Sequence, residues 1–537
     1  MQFSHRSDIV VSNGIVTSGH HLASIAGVDI LKRGGNAVDA AIAAAAVLCV
    51  VRPHSVSLGG DVFMLIYDAT EGKVTALNAS GPAPQKASRR FFLDRGEEKI
   101  PLEGMVSASV PGLVDGWARA LEAYGSMTFD QVLQSAIEYA EKGFPMYQKL
   151  CDVISKNSSL LARCPSSKRV FLAKYPPRPG KLLVQEDLAS SLRKIASGGR
   201  DAFYRGEIAE AIDRFSAENG GLITKQDLAR YQSEFYEPIS TTYRGFEVFE
   251  QPPVSQGLIL LQELNIVEGF DLARLGHNSA ESIHLMVEAK KLAFEDRLNY
   301  ISDPDFVDVP LQRLLSKEHA AEQRARIDPN RAMSRGKPAD TENFEGDTTY
   351  LAVVDKEGNA VSLIESIYSN FGCGSLVEGT GVLLNNRLSA FSLLNTHVNR
   401  LEPGKKTTHT LNNYIVFRDG ALFLVGGTPG ADDQVQSNLQ IIVNVIDHGM
   451  SIQQAIEAPR WSSRPGTAPG EESLPYELQL ERRIPNETRK GLERRGHLVK
   501  VVGDWSFGGA EAVLVDPASG ALMGGADPRR DGYAIGW

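Results

Sequence analysis

The residues with the clearest chemical potential lie in the segment 345–374, where an Asp-Thr-Thr motif at 347–349 opens a strand-like apolar run. A threonine hydroxyl is a weak nucleophile unless a base lies beside it, and the simplest base is the α-amine of the same residue. That amine exists only if the chain is cut between Asp347 and Thr348. The motif therefore predicts a precursor that cleaves itself and then uses Thr348 as its nucleophile. The alternative interpretation is a threonine that merely begins a strand.

The segment around Thr348 repeats a plan that occurs four times, in which two apolar runs flank an acidic-glycine or serine-glycine pair. Such pairs between strand-like runs predict β-hairpins. The runs are apolar on both faces, which predicts strands that are covered on both sides. The predicted hairpins are Val62–Leu77, Tyr350–Ile367, Tyr414–Val425 and Ala512–Met523.

Segments with helical spacing supply the cover that these strands need. Because helices and hairpins occur together without a regular strand–helix alternation, we expect an α/β class of fold in which helices pack on antiparallel sheets. The predicted helices are His21–Arg33, Ala37–Val51, Val114–Ala123, Phe129–Lys142 and Ser282–Asn299.

A polar stretch that contains proline and glycine, 327–347, immediately precedes Thr348. Its composition predicts a flexible linker, which is what self-cleavage at this point would need. A cut before Thr348 would divide the chain into a large subunit, 1–347, and a small subunit, 348–537, that together form one domain.

Composition and charge narrow the range of partners. The chain of 537 residues is 42% hydrophobic and 23% charged, which is ordinary for a soluble globular protein. Its net charge of −10 argues against a nucleic-acid partner, because phosphate binding needs a basic face. The four cysteines show no metal-ligand spacing, and no phosphate-binding or dinucleotide-binding fingerprint is present. We expect neither a metal nor a cofactor.

Membrane and secretion signals are weak in the sequence. The longest apolar run, Ala40–Val51, is shorter than the ~20 residues that span a bilayer. The N-terminus lacks the charged and then apolar pattern of a secretory signal. We therefore expect a soluble, cytoplasmic protein without a membrane partner.

A series of motifs along the chain resembles the γ-glutamyltranspeptidase (γ-glutamyltransferase) family of N-terminal-nucleophile hydrolases. The motifs occur in the family's order over about residues 8–534, and such a co-linear set is far more specific than any single motif. The resemblance implies a four-layer αββα sandwich with two central antiparallel sheets, and a precursor that is cut before Thr348. Besides the Asp-Thr-Thr motif, the series includes Asn36-Ala-Val-Asp-Ala-Ala, Arg52-Pro-His-Ser, Leu58-Gly-Gly-Asp, Val110-Pro-Gly, Gly381-Val-Leu-Leu-Asn-Asn, Ala458-Pro-Arg-Trp and Ala526-Asp-Pro-Arg.

The resemblance also implies a mechanism and its residues. The Thr348 hydroxyl attacks the Asp347 carbonyl, and an acyl shift followed by hydrolysis frees the amine, after which the same hydroxyl attacks substrate amides. Ser366 matches a family threonine that hydrogen-bonds the nucleophile. Gly430 and Ala431 match residues whose backbone N–H groups hold the oxyanion. Without the resemblance, Ser366 could equally be an ordinary strand serine, and the stretch 426–431 a plain turn.

Several pocket positions depart from the γ-glutamyl-specific members of the family. Ser80 stands where those members have an arginine for the substrate α-carboxylate, and serine cannot make that bidentate pair. Arg387 and Ala390 replace a glutamine and an aspartate, so no acid remains at the matched positions to pair an α-ammonium. The other replacements are Tyr368 for an asparagine and His409-Thr410 for a Ser-Ser pair.

These departures predict a pocket for a small acid without an α-amine. We expect Arg387 to bind its carboxylate and the other four residues to shape the pocket, namely Ser80, Tyr368, His409 and Thr410. The alternatives are that Arg387 is a solvated loop arginine and that His409 is a structural histidine bonded to the backbone. The run Asn399-Arg400-Leu-Glu-Pro-Gly resembles the oxamate amidohydrolase branch, and acylases are a related group within the family.

The leading functional hypothesis is a self-processing threonine amidohydrolase that acts on a small carboxylate-bearing amide. Its partners would be that small molecule and the two subunits for each other, with a higher oligomer left open. One alternative is a glutathione hydrolase or γ-glutamyltransferase with an altered pocket. A second alternative is an uncut, non-catalytic relative that serves as a binding protein.

Overall fold

Two antiparallel sheets, each with seven strands among the described residues, lie face to face at the centre of the computed structural model. The structure describes residues 4–172, 176–335, 346–471 and 474–537. The first sheet has the strand order Tyr533–Gly536, Ile15–Ser18, Gly346–Val354, Ala360–Ser369, Asp61–Asp68, Lys73–Ala79 and Glu234–Tyr236. The second sheet has the order Ile9–Val11, Leu522–Ala526, Glu511–Val515, Ala421–Gly427, Asn413–Arg418, Phe246–Glu250 and Ile239–Tyr243.

Three apolar cores separate four layers. Successive side chains of a strand point to opposite faces, so Leu351 and Val353 join a core with the helices. Tyr350 and Ala352 join the core between the two sheets. A third core lies between the second sheet and its own helices. The predicted αββα sandwich is therefore confirmed, and it explains why the strands are apolar on both faces.

Two of the helices that cover the first sheet begin at the predicted residues, His21 and Ala37, and Leu113–Tyr124 begins one residue before its prediction, whereas Glu186–Tyr204 was not predicted. Asn36 caps the buried helix Ala37–Val51: its side-chain oxygen accepts from the N–H groups of Val38 and Asp39, while the Asp39 carboxylate accepts from the Asn36 N–H. The predicted helix Phe129–Lys142 is two helices, Phe129–Val132 and Gln134–Lys142, which meet at Leu133. The other covering helices of this layer are His21–Lys32, Leu113–Tyr124 and Glu186–Tyr204.

The second sheet is covered mainly by three helices, Gly257–Val267, Ala280–Tyr300 and Asp433–Ile446. Smaller helices connect these layers: Arg89–Leu93, Gln148–Lys156, Ser158–Ala162, Pro165–Phe171, Glu207–Glu218, Lys225–Arg230, Leu272–Leu275, Leu311–Leu314, Lys317–Ala325, Ile452–Glu457 and Asn486–Arg494. Outlying strands form a small sheet of Trp461–Arg464, Glu477–Glu481 and Val499–Val502, and the pairs Phe144–Pro145 with Leu182–Leu183 and Leu376–Val377 with Val382–Leu383.

All four predicted hairpins are present, two in each sheet. The hairpin of Gly346–Val354 and Ala360–Ser369 carries the Asp-Thr-Thr motif. Its register shifts between Asp347 and Thr349, so a β-bulge falls at Thr348. A bulge leaves one residue outside the regular ladder and re-aims its side chain, so the backbone at Thr348 differs from that of an ordinary strand residue.

The predicted linker is only partly described, because residues 336–345 lie outside the described residues. The described residues before this gap, 327–335, make hydrogen bonds to other parts of the chain. The Ala332 N–H donates to the Arg495 carbonyl, and the Arg335 guanidinium donates to the Leu474 carbonyl. Ala332 and Arg335 are therefore hydrogen-bonded to the small-subunit part of the chain, in a stretch where the sequence predicted a flexible linker. None of the helices among the described residues is long and apolar enough to cross a membrane.

Candidate active site

Thr348 and Ser366 meet at the peptide bond that would be cut. Both side chains are buried, and Thr348 Oγ1 lies 2.7 Å from the Asp347 carbonyl oxygen and 3.2 Å from Ser366 Oγ. The Ser366 hydroxyl donates to the same Asp347 carbonyl at 2.7 Å and accepts from the Tyr368 N–H. The uncut chain thus holds a hydroxyl beside the carbonyl it would attack, and a second hydroxyl that polarises this carbonyl. Ser366 has the hydrogen bond that the resemblance implied.

The Asp347 carboxylate is surrounded by four residues, which we call the carboxylate cradle: Arg52, His54, Ser55 and Arg530. Arg530 and the Ser55 hydroxyl donate to its two oxygens, and His54 Nε2 lies 3.5 Å away. Burial alone would raise the pKa of Asp347, but Arg530, His54 and Arg52 hold it well below its usual range. The carboxylate next to the scissile bond is therefore ionised and fixed in place.

The cradle residues are functional candidates that the sequence did not assign. Arg52, His54 and Ser55 belong to the Arg52-Pro-His-Ser motif, which was noted only for its resemblance, and Arg530 follows the Ala526-Asp-Pro-Arg motif. A buried carboxylate must be paired, so the need for a cation near Asp347 was the available signal. It gave no indication of which cation.

Gly430 and Ala431 form the loop between the strand Ala421–Gly427 and the helix Asp433–Ile446. Among the described residues, neither backbone N–H donates a hydrogen bond. Ala431 is buried and has φ of 50°, a left-handed conformation that is uncommon for a residue other than glycine. Its carbonyl is fixed by the Gln256 amide at 3.0 Å. Two donors that are not used within the described residues are available for an oxyanion, and that role stays a prediction.

Arg387 is fully buried, at 0% exposure, and opens the short 3-10 turn Arg387–Ala390. Its guanidinium stacks on the Tyr368 ring at 4.1 Å from the centroid. Its Nε lies 3.4 Å from Asp61 Oδ2, and one Nη lies 3.5 Å from Thr410 Oγ1. The other Nη has no hydrogen-bond partner among the described residues. The interpretation of Arg387 as a solvated loop arginine is therefore wrong.

Asp61 is an acid of the Arg387 group that lies outside the matched positions considered in the sequence. Its Oδ2 accepts from both Arg387 and His409, whose Nε2 is 3.2 Å away, and its Oδ1 accepts from the Gly81 N–H at 3.0 Å. Asp61 was missed because its motif, Leu58-Gly-Gly-Asp, lies far from Arg387 in the sequence. Since three donors already occupy this carboxylate, it anchors Arg387 and is not a ready partner for an ammonium.

His409 is a neutral member of this cluster. Burial, followed by the charge of Arg387, lowers its pKa to about 4. Its Nδ1 accepts from the Leu411 N–H, so its Nε2–H donates to Asp61. The backbone bond expected of a structural histidine is present together with the contact to the pocket acid.

The Ser80 side chain is hydrogen-bonded within its own turn. Its hydroxyl and its N–H both donate to Asn78 Oδ1, at 2.7 and 2.9 Å. Among the described residues it makes no hydrogen bond to Arg387, Tyr368 or His409. The structure thus brings together Arg387, Tyr368, His409 and Thr410. The Ser80 hydroxyl instead donates to Asn78 within a local turn.

One cluster has the composition of a metal site, formed by His284, Glu288 and His497. The two histidines are hydrogen-bonded to each other at 2.8 Å, and the Glu288 carboxylate accepts from Lys291 and from the Met333 N–H. These ligand atoms are already used, and a buried lysine beside them opposes a cation. The cluster is explained as a structural network.

Comparisons with known proteins agree with this architecture. The family model described as gamma-glutamyltranspeptidase matches residues 23–537. The chain is 42% identical to the glutathione hydrolase-like YwrD proenzyme of Bacillus subtilis, over 98% of this chain and 99% of that protein. It is 36% identical to the oxamate amidohydrolase proenzyme of Klebsiella pneumoniae, over 99% of this chain and 100% of that protein. Its fold matches the crystal structure of cephalosporin acylase from Bacillus halodurans with a TM-score of 0.92 and 36% identity, covering 100% and 98% of the two chains. The chain therefore belongs to the γ-glutamyltranspeptidase family and is a hydrolase or transferase of that family.

Proposed function

We propose that this protein is a self-cleaving threonine amidohydrolase whose substrate is an amide with a carboxylate on its acyl half. The observation that carries the proposal is the Thr348 hydroxyl, 2.7 Å from the Asp347 carbonyl oxygen and beside Ser366. The names of the relatives are consistent with it, since they include proenzymes, an amidohydrolase and an acylase.

Cleavage begins with attack of Thr348 Oγ1 on the Asp347 carbonyl carbon. The Ser366 hydroxyl donates to the carbonyl oxygen and stabilises the charge that develops there. Collapse of the tetrahedral species breaks the C–N bond and leaves Asp347 as an ester on Thr348. Water hydrolyses the ester, which gives a large subunit that ends at Asp347 and a small subunit that begins with the free amine of Thr348.

Turnover uses the amine that cleavage creates. This amine accepts the proton of the Thr348 hydroxyl as the oxygen attacks the substrate amide. The N–H groups of Gly430 and Ala431 stabilise the oxyanion. The substrate amine takes up the proton and leaves, and water then hydrolyses the acyl-enzyme.

The preference for an acid rests on Arg387. A fully buried guanidinium with one unpartnered Nη is costly unless a ligand completes its hydrogen bonds. A substrate carboxylate is the group that an arginine pairs with best. Tyr368 links Arg387 to the nucleophile, because its ring stacks on the guanidinium and its N–H donates to Ser366.

A glutathione hydrolase is the second candidate, favoured by the name of the YwrD relative. Two observations argue against this candidate. Ser80 has no positive charge to bind the substrate α-carboxylate, and Asp61 already accepts from three donors, so it is not a ready partner for the α-ammonium. We expect poor γ-glutamyl turnover, because each lost charged contact costs about 1.5–3 kcal/mol, roughly ten- to a hundredfold. Turnover of γ-glutamyl anilide at the rate of glutaryl or oxalyl anilides would favour this candidate instead.

The first experiment tests cleavage. Purified protein should give two bands on a denaturing gel, and the smaller band should begin Thr-Thr-Tyr-Leu. Thr348→Ala should give one band and no activity. Thr349→Val is the matched control, since the Thr349 hydroxyl has no hydrogen-bond partner among the described residues, and it should still cleave. An active Thr348→Ala protein would refute the mechanism.

The second experiment tests the acyl pocket. Arg387→Gln should lower kcat/KM on glutaryl or oxalyl anilide by roughly tenfold or more, and Arg387→Lys should lose less because it keeps the charge. Since Arg387→Gln also strips Asp61 of its cation, the double variant with Asp61→Asn separates pocket loss from a buried unpaired charge. Cleavage should persist in the double variant. If kcat/KM were unchanged in that cleaved variant, Arg387 would not be part of the substrate pocket.

A further inference from the structure

The acyl pocket and the loop proposed to hold the oxyanion lie at the same end of one hairpin. The hairpin spans 413–427, with Thr410 of the pocket just before it and Ala431 of the loop just after it. Its ladder stops at the outermost pair, and no backbone hydrogen bond joins 409–412 to 428–431 within the described residues. The separation of these two segments therefore depends on the side chains around them.

Gln256 joins the two segments with one amide group. Its side-chain nitrogen donates to the Thr410 carbonyl and, at 3.0 Å, to the Ala431 carbonyl. Its side-chain oxygen accepts from the Arg297 guanidinium. Because a guanidinium only donates and a carbonyl only accepts, the partners determine the orientation of this amide. Gln256 is fully buried, so its amide cannot exchange these partners for water.

The residues before Gln256 fix its place against the acyl pocket. The His409 N–H donates to the Val254 carbonyl at 2.8 Å, and the Ser255 hydroxyl donates to the Leu411 carbonyl at 2.6 Å. His409 is itself one of the residues grouped around the acyl guanidinium. The chain before Gln256 therefore lies directly along the chain that shapes the acyl pocket.

The Arg297 guanidinium ties the same amide to the oxyanion loop a second time. It donates to Asp432 Oδ1 at 2.5 Å, and Asp432 directly follows Ala431. The Thr467 N–H donates to Asp432 Oδ2 at 2.6 Å. Burial alone would raise the pKa of Asp432, but Arg297 and the Thr467 N–H hold it below its usual value. These charge-assisted contacts close a ring from the Gln256 amide through the loop and back to the guanidinium.

We propose that Gln256 is a positioning residue that sets the distance between the acyl pocket and the oxyanion donors, and thereby selects the length of the acyl chain. A substrate that uses both places puts its carboxylate at Arg387 and its reacting carbonyl at the N–H groups of Gly430 and Ala431. Two linked groups gain most when the linker matches the span between their sites. Because one amide holds both segments, an acyl chain of one length reaches both places at once. This inference rests on the proposed function and adds what determines the length of its acyl group.

Anilides of dicarboxylic acids test the selection of length. Oxalyl, succinyl, glutaryl and adipyl anilides place the carboxylate at increasing distance from the reacting carbonyl. The parent should prefer one length by roughly tenfold or more in kcat/KM. Gln256→Met keeps the length of the side chain but removes its hydrogen bonds. In this variant kcat/KM at the preferred length should fall by roughly tenfold or more, chiefly in kcat, and the preference should flatten. A parent without a preferred length, or a variant that keeps the parent's preference, would overturn the proposal.

Binding of boronic acids measures the same spacing without turnover. The Thr348 hydroxyl adds to the boron, its proton passes to the Thr348 amine, and a boron oxygen takes the position of the oxyanion. 4-Boronobutanoic acid matches the glutaryl group, and butylboronic acid has the same chain without the carboxylate; for another preferred length, both chains are changed to match. On the cleaved parent, the carboxylate should improve the dissociation constant by roughly tenfold or more, and Gln256→Met should lose most of this gain. A gain of the same size in both proteins would contradict the proposal.

Gln262→Met is the matched control, because Gln262 is a second buried glutamine of the helix Gly257–Val267. Its amide donates to the Asp296 carboxylate and the Leu314 carbonyl, and so to neither of the two joined segments. Both variants should lower the Tm, whereas only Gln256→Met should flatten the length preference. A flattening of the same size in Gln262→Met would show that Gln256 acts through stability alone. If Gln256→Met does not fold, Gln256→Asn takes its place, since it keeps the amide but is too short to reach both carbonyls.

These outcomes separate the inference from the proposed function. Cleavage on the gel should be unchanged in Gln256→Met, because Ser366 polarises the Asp347 carbonyl and the oxyanion loop is not needed for this step. If the parent cleaves and prefers acid anilides to pentanoyl anilide, yet Gln256→Met keeps the parent's length preference, only the inference is wrong. If the parent hydrolyses pentanoyl anilide as well as any acid anilide, the proposed acyl specificity is wrong, and the inference falls with it.

Discussion

At the scale of single residues, the side chain before the cut is as well defined as the nucleophile. Asp347 is held through its carboxylate by Arg530 and Ser55, while its carbonyl lies between the hydroxyls of Thr348 and Ser366. Attack of a hydroxyl on a peptide bond requires close and correct orientation. The carboxylate cradle therefore positions the carbonyl and does not itself react.

Replacing Arg530 should slow cleavage without abolishing it. Arg530→Gln removes the ion pair and leaves Asp347 buried with a weaker partner, so the half-time of cleavage should lengthen by roughly tenfold or more. The measurement is the fraction of cut chain on a gel over time in freshly translated protein.

The companion variant distinguishes positioning from general damage. Asp347→Asn added to Arg530→Gln removes the unpaired carboxylate, and an Asn–Gln pair can still hydrogen-bond, so part of the rate should return. Arg482→Gln, at an exposed arginine, is the control. If Arg530→Gln cleaves as fast as the parent, the cradle has no part in cleavage.

At the scale of elements, the two sheets meet closely where the candidate site is built. An added Cβ on Gly427 would lie 2.5 Å from ring atoms of Tyr350, and one on Gly426 would meet the Tyr414 ring. Tyr350 stands two residues after Thr348, and Gly427 stands three residues before Gly430. Gly427 lets the Tyr350 ring of the Thr348 strand pack directly on the strand that leads to Gly430, whereas the contact of Gly426 with Tyr414 lies within the second sheet.

Gly427→Ala should therefore destabilise the fold and disturb the site together. Overpacking of a filled core costs about 1–3 kcal/mol, and the displaced strand moves the Gly430 loop relative to Thr348. Thermal unfolding should show a lower Tm, and cleavage should be slower.

A double variant checks the cause of that loss. Tyr350→Leu removes the ring that the new methyl group meets, so Gly427→Ala should cost less in that background than in the parent. Equal costs in the two backgrounds would show that the Tyr350 ring does not set the constraint.

At the scale of the whole molecule, burial suppresses charge on many titratable groups. The pKa of His54 and His497 falls to about 3, and that of His277 and His409 to about 4, chiefly through burial. Burial raises the pKa of Glu250 and Glu263 to about 8. Burial also lowers the pKa of His20, His21, His284 and His448, and it raises the pKa of four carboxyl groups, those of Glu365, Glu511, Asp303 and Asp355.

These shifts predict a stability maximum near pH 6.5. Below the histidine value of ~6.5 in the unfolded chain, the unfolded state binds protons that the folded state does not, so acid favours unfolding. The buried glutamates act oppositely, because they stay protonated in the folded state while the unfolded chain loses protons above ~4.3. Four histidines outweigh two glutamates below pH 6.5. Above it the two glutamates lower the stability until about pH 8, opposed by Lys290, whose pKa burial lowers well below its usual value.

The measurement is the Tm of uncut Thr348→Ala between pH 4.5 and 8.5 at constant ionic strength, which avoids dissociation of the cut subunits. Each group contributes about 1.4 kcal/mol per pH unit, so Tm should rise clearly from pH 4.5 to 6.5 and then decline to pH 8. A Tm that climbs steadily through pH 8 would contradict this assignment of buried charges.

The sequence by itself determined the local elements and the residues that could do chemistry. Hairpins around Glu71-Gly72 and Glu357-Gly358 and the helix after Asn36 follow from turn residues and apolar spacing, which act over a few neighbouring positions. Thr348, Ser366 and Arg387 were identified from their motifs, and the structure places all three in or beside one site.

Only the tertiary structure decided which charges meet. Asp61 pairs with Arg387 across 326 positions, and Arg530 reaches Asp347 across 183. Such contacts depend on how two sheets stack and on which strand lies beside which, and no local periodicity records that. The pairing with Asp61 excluded a solvated loop position for Arg387, and the position of Arg530 identified the cation that holds the Asp347 carboxylate. Both ion pairs follow from burial, because a charge inside the fold is costly unless it is paired.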